Sequence, residues 1–158
     1  MRTYVVGLDG SEHAQASLDW AQAVAGPEDA IVVAMLIFGG VLDACPDLKV
    51  CIAHGGGPAC FAMGRLDRGW QSRADARGGA QQPPSTYQRR LYYDTILHAP
   101  APLEFLVKTA GAAHVLLGSD YPFDMGTLEC ARQVKALAIP QADRATILGD
   151  AAAVLLRA

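Results

Sequence analysis

Groups that advertise chemistry are scarce in this sequence. Its 158 residues hold four histidines and four cysteines. No C-x-x-C occurs, and no cysteine stands at zinc-finger spacing from a histidine. Cys51 lies in an apolar run, so the thiols read as reduced core groups. That reading fits a cytoplasmic protein. Walker A, H-E-x-x-H and G-x-G-x-x-G are all missing. Basic residues never gather on one face. The single basic stretch, Arg65 to Arg77, is interrupted by Asp67 and Asp75, and the net charge is -3. A nucleic-acid partner is therefore not expected. No apolar run is long enough to span a bilayer. The opening M-R-T-Y-V-V-G-L-D-G lacks the apolar core of a signal peptide, so no membrane partner is expected either.

What is present is a pattern of short apolar runs that end in polar residues. Val50 to Ala53 leads directly into His54-Gly55-Gly56-Gly57. A short run rich in β-branched residues and closed by glycine predicts a buried strand. His54 then stands at the strand's C-terminal end, where parallel α/β folds keep their chemistry. His114 to Leu117 repeats the pattern and runs into Gly118-Ser119-Asp120-Tyr121-Pro122. Arg90 to Ile96 reads as another strand, with Asp94 near its end. Helical patterns fill the gaps, which argues for parallel βα units. An imidazole and a carboxylate thus project from one rim of one sheet and open onto a common hollow. The glycines after His54 mimic the oxyanion loop of lipases and esterases. No G-x-S-x-G nucleophile follows, so that reading is set aside.

Taken in order, Tyr4 to Leu8 predicts a first strand, and Asp9 or Ser11 can cap a helix beginning near Glu12. Ala14, Leu18, Ala21 and Ala25 share one helical face, and Gly26-Pro27 ends it. Ile31 to Met35 reads as a second strand. Leu36 to Asp43 reads as an amphipathic helix, Phe61 to Trp70 as another, and Gly78 to Ser85 as a loop inserted over the sheet's rim. Helices are expected at Pro102 to Ala110, near Leu128 to Leu137, and from Gln141 to Leu156.

Two resemblances divide the chain. The opening V-V-G-L-D-G-S-E-H-A-x-x-S-L-x-W-A, residues 1–35, resembles the β-α-β start of a universal stress protein. In that family the Asp after the first strand contacts the adenine of ATP, a position that Asp9 would take. The family's late Gly, two residues, Gly, nine residues, Gly-Ser/Thr motif is absent. The later Gly118-Ser119 is preceded by Phe105 and Lys108 at the glycine positions.

Residues 36–158 carry Phe38-Gly39-Gly40-Val41-Leu42-Asp43, Ala53-His54-Gly55-Gly56-Gly57, Gly64-Arg65-Leu66-Asp67-Arg68-Gly69-Trp70, Tyr92-Tyr93-Asp94-Thr95, Gly118-Ser119-Asp120-Tyr121-Pro122-Phe123 and Ile147-Leu148-Gly149. In this order they resemble the C-terminal half of an amidohydrolase-related protein of the aminocarboxymuconate-semialdehyde decarboxylase branch. The resemblance implies a (β/α) barrel with a divalent metal, usually zinc, at its C-terminal rim. Asp120 would be a metal ligand. His54 would be the catalytic histidine that activates the metal-bound water. Arg65 would hold the carboxylate of a small-molecule substrate, reaching a neighbouring subunit's site. A homo-oligomer is therefore expected. The family's His-x-His is missing, Ile31 to Met35 holds no histidine ligand, and Ala151 stands where an Asn is usual.

A closed eight-stranded barrel needs about 250 residues. The expected fold is thus α/β, a partial TIM-barrel-like parallel sheet of about five strands with flanking helices. The expected function is a metal-dependent carboxy-lyase or hydrolase, truncated and short of ligands. A nucleotide-binding module and a fusion product without function stand as alternatives.

Overall fold

The computed structural model describes residues 28–157. The predicted strand Tyr4 to Leu8, the helix after it and Asp9 lie outside the described residues. The first helix, α1 (Glu28–Phe38), is almost wholly apolar, and Val33, Ala34, Leu36, Ile37 and Phe38 are all buried. It overturns the strand expected at Ile31 to Met35. Period alone cannot separate a buried strand from a buried helix in a short apolar run. Here the run continues to Phe38, past ordinary strand length, and Ala34, Met35 and Leu36 are strong helix formers. The join between the two resemblances, at Met35-Leu36, falls inside this one helix. The helix expected from Leu36 to Asp43 is likewise two pieces. Gly40 takes φ +70° and breaks it, and α2 (Val41–Ala44) follows.

Three parallel strands form one open sheet in the order β1-β2-β3. They are β1 (Cys51–Ile52), β2 (Tyr92–Asp94) and β3 (Val115–Leu116). Cys51 faces Tyr92, Ile52 and Val115 flank Tyr93, and Asp94 faces Leu116. Between β1 and β2 lie α3 (Ala59–Ser72) and the short α4 (Pro84–Tyr87); between β2 and β3 lies α5 (Pro100–Ala110). The chain closes with α6 (Cys130–Lys135), α7 (Gln141–Ala145), a π-turn over Thr146–Asp150, and α8 (Ala151–Leu156). Among the described residues the architecture is a partial parallel sheet with flanking helices, not a closed barrel.

The core lies where the strands meet the helices. Tyr93, fully buried at the centre of β2, packs with Ile52, Val115, Met63 and Leu66 of α3, and Leu103 and Leu106 of α5. Burying side chains of this size contributes roughly 1.5–3 kcal/mol each. Burial pushes the Tyr93 hydroxyl above its ordinary pKa, and it donates to the Gln88 carbonyl at 3.2 Å. Cys60 is buried and its thiol is likewise pushed up by burial, while Cys51 is exposed, contrary to expectation. On the outer strand β1 the pleat turns Ile52 inward and Cys51 outward.

The stretch Gly78 to Ser85 packs where the strands begin, not over the rim that bears His54. Gly79 N–H donates to the Phe38 carbonyl, and the Gly79 and Gly40 backbones touch so closely that a Cβ on Gly79 would lie 3.0 Å from Gly40 Cα. Trp70 Nε1 donates to Ala80, and Arg90 donates to the Leu42 carbonyl. The stretch connects a helix to the start of β2, which fixes the end of the sheet it can reach.

Candidate functional site

Each strand leads into a loop that contains one non-glycine residue with left-handed backbone. These are His54 after β1 (φ 53°), His98 after β2 (φ 52°) and Asp120 after β3 (φ 58°). Such conformations persist only where surroundings impose them, and they cluster at functional sites. The surroundings of His54 are plain. A Cβ on Gly55 (φ +59°) would lie 2.7 Å from the Leu97 side chain, and one on Gly56 (φ +77°) would lie 2.9 Å from the Tyr93 ring. The glycines drop the chain onto the sheet and leave the His54 ring above it.

His54 Nε2 and Asp120 Oδ1 are 3.9 Å apart, with side chains 52% and 20% exposed. The two residues singled out at strand tips thus face each other on one rim. The separation is that of an ion pair or a water-bridged pair rather than a direct hydrogen bond. Asp120 is held by its own loop. Phe123 N–H donates to its carbonyl at 2.9 Å, and Thr127 N–H closes the loop on Ser119 at 2.8 Å. Gly126 permits this closure, since a Cβ there would lie 2.9 Å from the Asp120 carbonyl oxygen.

Two residues between these tips escaped the sequence reading of roles. Asp94 Oδ1 accepts from Gly55 N–H at 2.9 Å and from Ile96 N–H at 3.0 Å. Thr95, 2% exposed, accepts from Gly118 N–H at 3.1 Å and donates to the Gly118 carbonyl at 3.4 Å. Their position at a strand end was legible, but their partners, 39 and 23 residues away, were not.

Arg65 lies exposed on α3, and no ion pair with Asp67 or Asp94 is seen among the described residues. Those carboxylates serve backbone N–H groups instead: Asp67 that of Ser85, and Asp94 those of Gly55 and Ile96. His98 lines a hollow of about 230 Å³ with Leu103, Arg132 and Leu137; neither His54 nor Asp120 borders it. Among the described residues no three His, Cys, Asp or Glu side chains gather as a metal site would require. One imidazole and one carboxylate fall short of the roughly three protein ligands of a zinc centre. The described residues therefore do not by themselves fit a metal ion.

The chain is similar to known proteins over most of its length. The profile of a family described as Amidohydrolase matches residues 6–158. The 2-amino-3-carboxymuconate-6-semialdehyde decarboxylase of Caenorhabditis elegans is 38% identical over 109 residues, 68% of this chain and 27% of that protein. Its Dictyostelium discoideum counterpart is 36% identical over 111 residues, 70% of this chain and 31% of that protein. The chain thus spans about three tenths of these curated relatives. Among solved structures, 5-carboxyvanillate decarboxylase from Sphingomonas paucimobilis superposes with a TM-score of 0.69 at 26% identity, covering 80% of this chain and 38% of that one. A dihydroxybenzoic acid decarboxylase from Polaromonas sp. JS666, solved with bound manganese and 2-nitroresorcinol, gives 0.71 at 22% identity, covering 82% and 39%.

Proposed function

The chain belongs to the amidohydrolase family, and from that premise we propose that it carries the proton-handling part of a decarboxylase site acting on a small unsaturated or aromatic carboxylate. The observation that carries this reading is the 3.9 Å approach of His54 Nε2 to Asp120 Oδ1, which follow β1 and β3 on either side of β2. Loss of carbon dioxide breaks a carbon–carbon bond and leaves its electron pair on the substrate carbon. A proton must then reach that carbon. His54 is half exposed on the rim and placed to deliver it, with Asp120 beside the ring to stabilise the charged imidazole. Arg65 is proposed to hold a substrate carboxylate through its planar guanidinium. It would do so across a contact between copies, because α3 leaves it exposed.

The relatives' names supply the substrate class, and the manganese of the dihydroxybenzoic acid decarboxylase supports a divalent ion. In this chain Asp120 is the proposed ligand, with zinc or manganese as the ion. The remaining ligands would have to come from outside the described residues.

The test is carbon dioxide release from a carboxymuconate or dihydroxybenzoate by the purified full chain, with zinc or manganese added and bound metal measured in parallel. Release that falls at least 100-fold in His54→Asn is the expected result. No release with either metal, together with less than about a tenth of an equivalent bound per chain, overturns the proposal.

A further inference from the structure

The rim of the sheet is tied together from its middle strand, and this assigns a role to two residues that the proposed chemistry leaves unused. Asp94 reaches sideways from β2 to the tip of β1, and Thr95 reaches the other way to the tip of β3. The first bond falls on Gly55, the residue immediately after His54. The second falls on Gly118, two residues before Asp120. Both receiving residues are glycines at which a side chain would crowd its neighbours. A Cβ on Gly55 would strike Leu97, and one on Gly118 would lie 3.1 Å from Asp94 Cβ. The three tips therefore approach closely, and Asp94 at the end of β2 and Thr95 just beyond it clamp the turns that carry the two facing groups. β-Strands turn consecutive side chains to opposite faces. The clamp can reach both neighbours only because β2 ends at Asp94 and the chain curls back, with Leu97 N–H donating to the Thr95 carbonyl at 2.8 Å.

We infer that Asp94 and Thr95 are positioning residues, which set the separation of His54 and Asp120 by fixing the turns that hold them. The inference rests on the proposed decarboxylase reading for its purpose, but not for its test. Without the clamp, His54 and Asp120 would be free to leave their left-handed backbone, and the two groups would part. A displacement of about 1 Å in a reacting group can lower a rate about 100-fold.

The experiment compares variants that keep or remove each acceptor, using the full chain without metal or substrate. Asp94→Asn retains a carbonyl oxygen for Gly55, and Asp94→Leu has a similar shape without it. Thr95→Ser retains the hydroxyl, and Thr95→Val does not. Amide exchange by NMR is read at Gly55 and Gly118 relative to Tyr93 and Val115, so that general destabilisation cancels. Protection of Gly55 is expected to fall at least 10-fold in Asp94→Leu and to stay within about 3-fold in Asp94→Asn, with the Thr95 pair doing the same at Gly118. The change that Asp120→Asn produces in the His54 ring chemical shifts, at one fixed pH, reads the facing geometry itself. It is expected to persist in Asp94→Asn and Thr95→Ser and to vanish in Asp94→Leu and Thr95→Val.

Unchanged Gly55 protection in Asp94→Leu, or a ring-shift response that survives both Asp94→Leu and Thr95→Val, overturns the inference. So does an equal loss in Asp94→Asn and Asp94→Leu. The Thr95 pair reads the second arm should one Asp94 variant fail to fold. Absence of carbon dioxide release from the parent chain would defeat the functional proposal while leaving these NMR comparisons intact.

Discussion

Two histidines stand at opposite ends of the same sheet, and they have been put to different uses. His114 precedes β3. Its Nδ1 lies 3.1 Å from the Leu91 carbonyl, and its ring leans on Tyr92 with centroids 5.2 Å apart. Burial lowers its pKa, the bond to Leu91 opposes this, and Arg89 and Lys49 lower it further. His54 follows β1, takes left-handed backbone, and faces a carboxylate with half its side chain open. The contrast extends to their neighbourhoods. Where the strands begin, Tyr87 donates to Asp43 at 2.5 Å and accepts from Gln81 and Gln82 N–H at 3.1 Å, and Arg90 spans to α2. Where they end, hydrogen bonds hold strained turns rather than packed elements. One end secures the fold and the other holds a geometry.

Substitutions can break or sharpen that division. The largest effect is expected from His54→Asn. Carbon dioxide release should fall at least 100-fold, as for loss of a general acid. The unfolding midpoint should hardly move, because Asn accepts left-handed backbone. A large drop in thermal midpoint would show that the tip end also supports the fold.

Tyr87→Phe should reverse the pattern. Removing the hydroxyl takes one hydrogen bond from the Asp43 carboxylate and leaves the Gln82 N–H without its acceptor, a loss of about 2 kcal/mol read by urea denaturation. Activity per folded molecule should be unchanged.

Gly79→Ala forces a methyl against the Gly40 backbone, which cannot swing aside as a side chain would. Destabilisation of roughly 1–3 kcal/mol is expected by the same assay.

The smallest effect concerns His114. Its folded pKa is depressed, so the unfolded chain binds the proton more readily. The stability it contributes is present above its unfolded value near 6.5 and is lost as pH falls below that and through its lowered folded value. His114→Gln should therefore flatten the decline in stability between pH 7.5 and pH 5. An unchanged slope would count against it.

Much of this division was legible in the residues. The runs before His54 and Asp120 mark strands because β-branched and apolar side chains stop abruptly at glycine or polar residues. The family's motif order then places both groups on one rim. The apolar stretch from Ile31 to Phe38 misled because periodicity is silent in a run that is apolar on every side. Cys51 misled because burial on an outer strand depends on which way a single side chain points. Asp94 and Thr95 stayed hidden for another reason: their partners are backbone groups, which carry no signature in sequence.

The final helix carries a quieter consequence. Over Thr146–Asp150 the hydrogen bonds widen into a π-turn, which absorbs one residue more than a regular helix would hold there. In an unbroken α-helix, Val154 would sit above buried Ile147, seven residues on. The wider turn rotates it away by roughly a quarter turn, and Val154 is 71% exposed. A chain shortened by Gly149, around which a Cβ would meet open space, could close that segment as ordinary helix with everything downstream still facing as it does now. This part of the molecule can lose a residue and keep its shape.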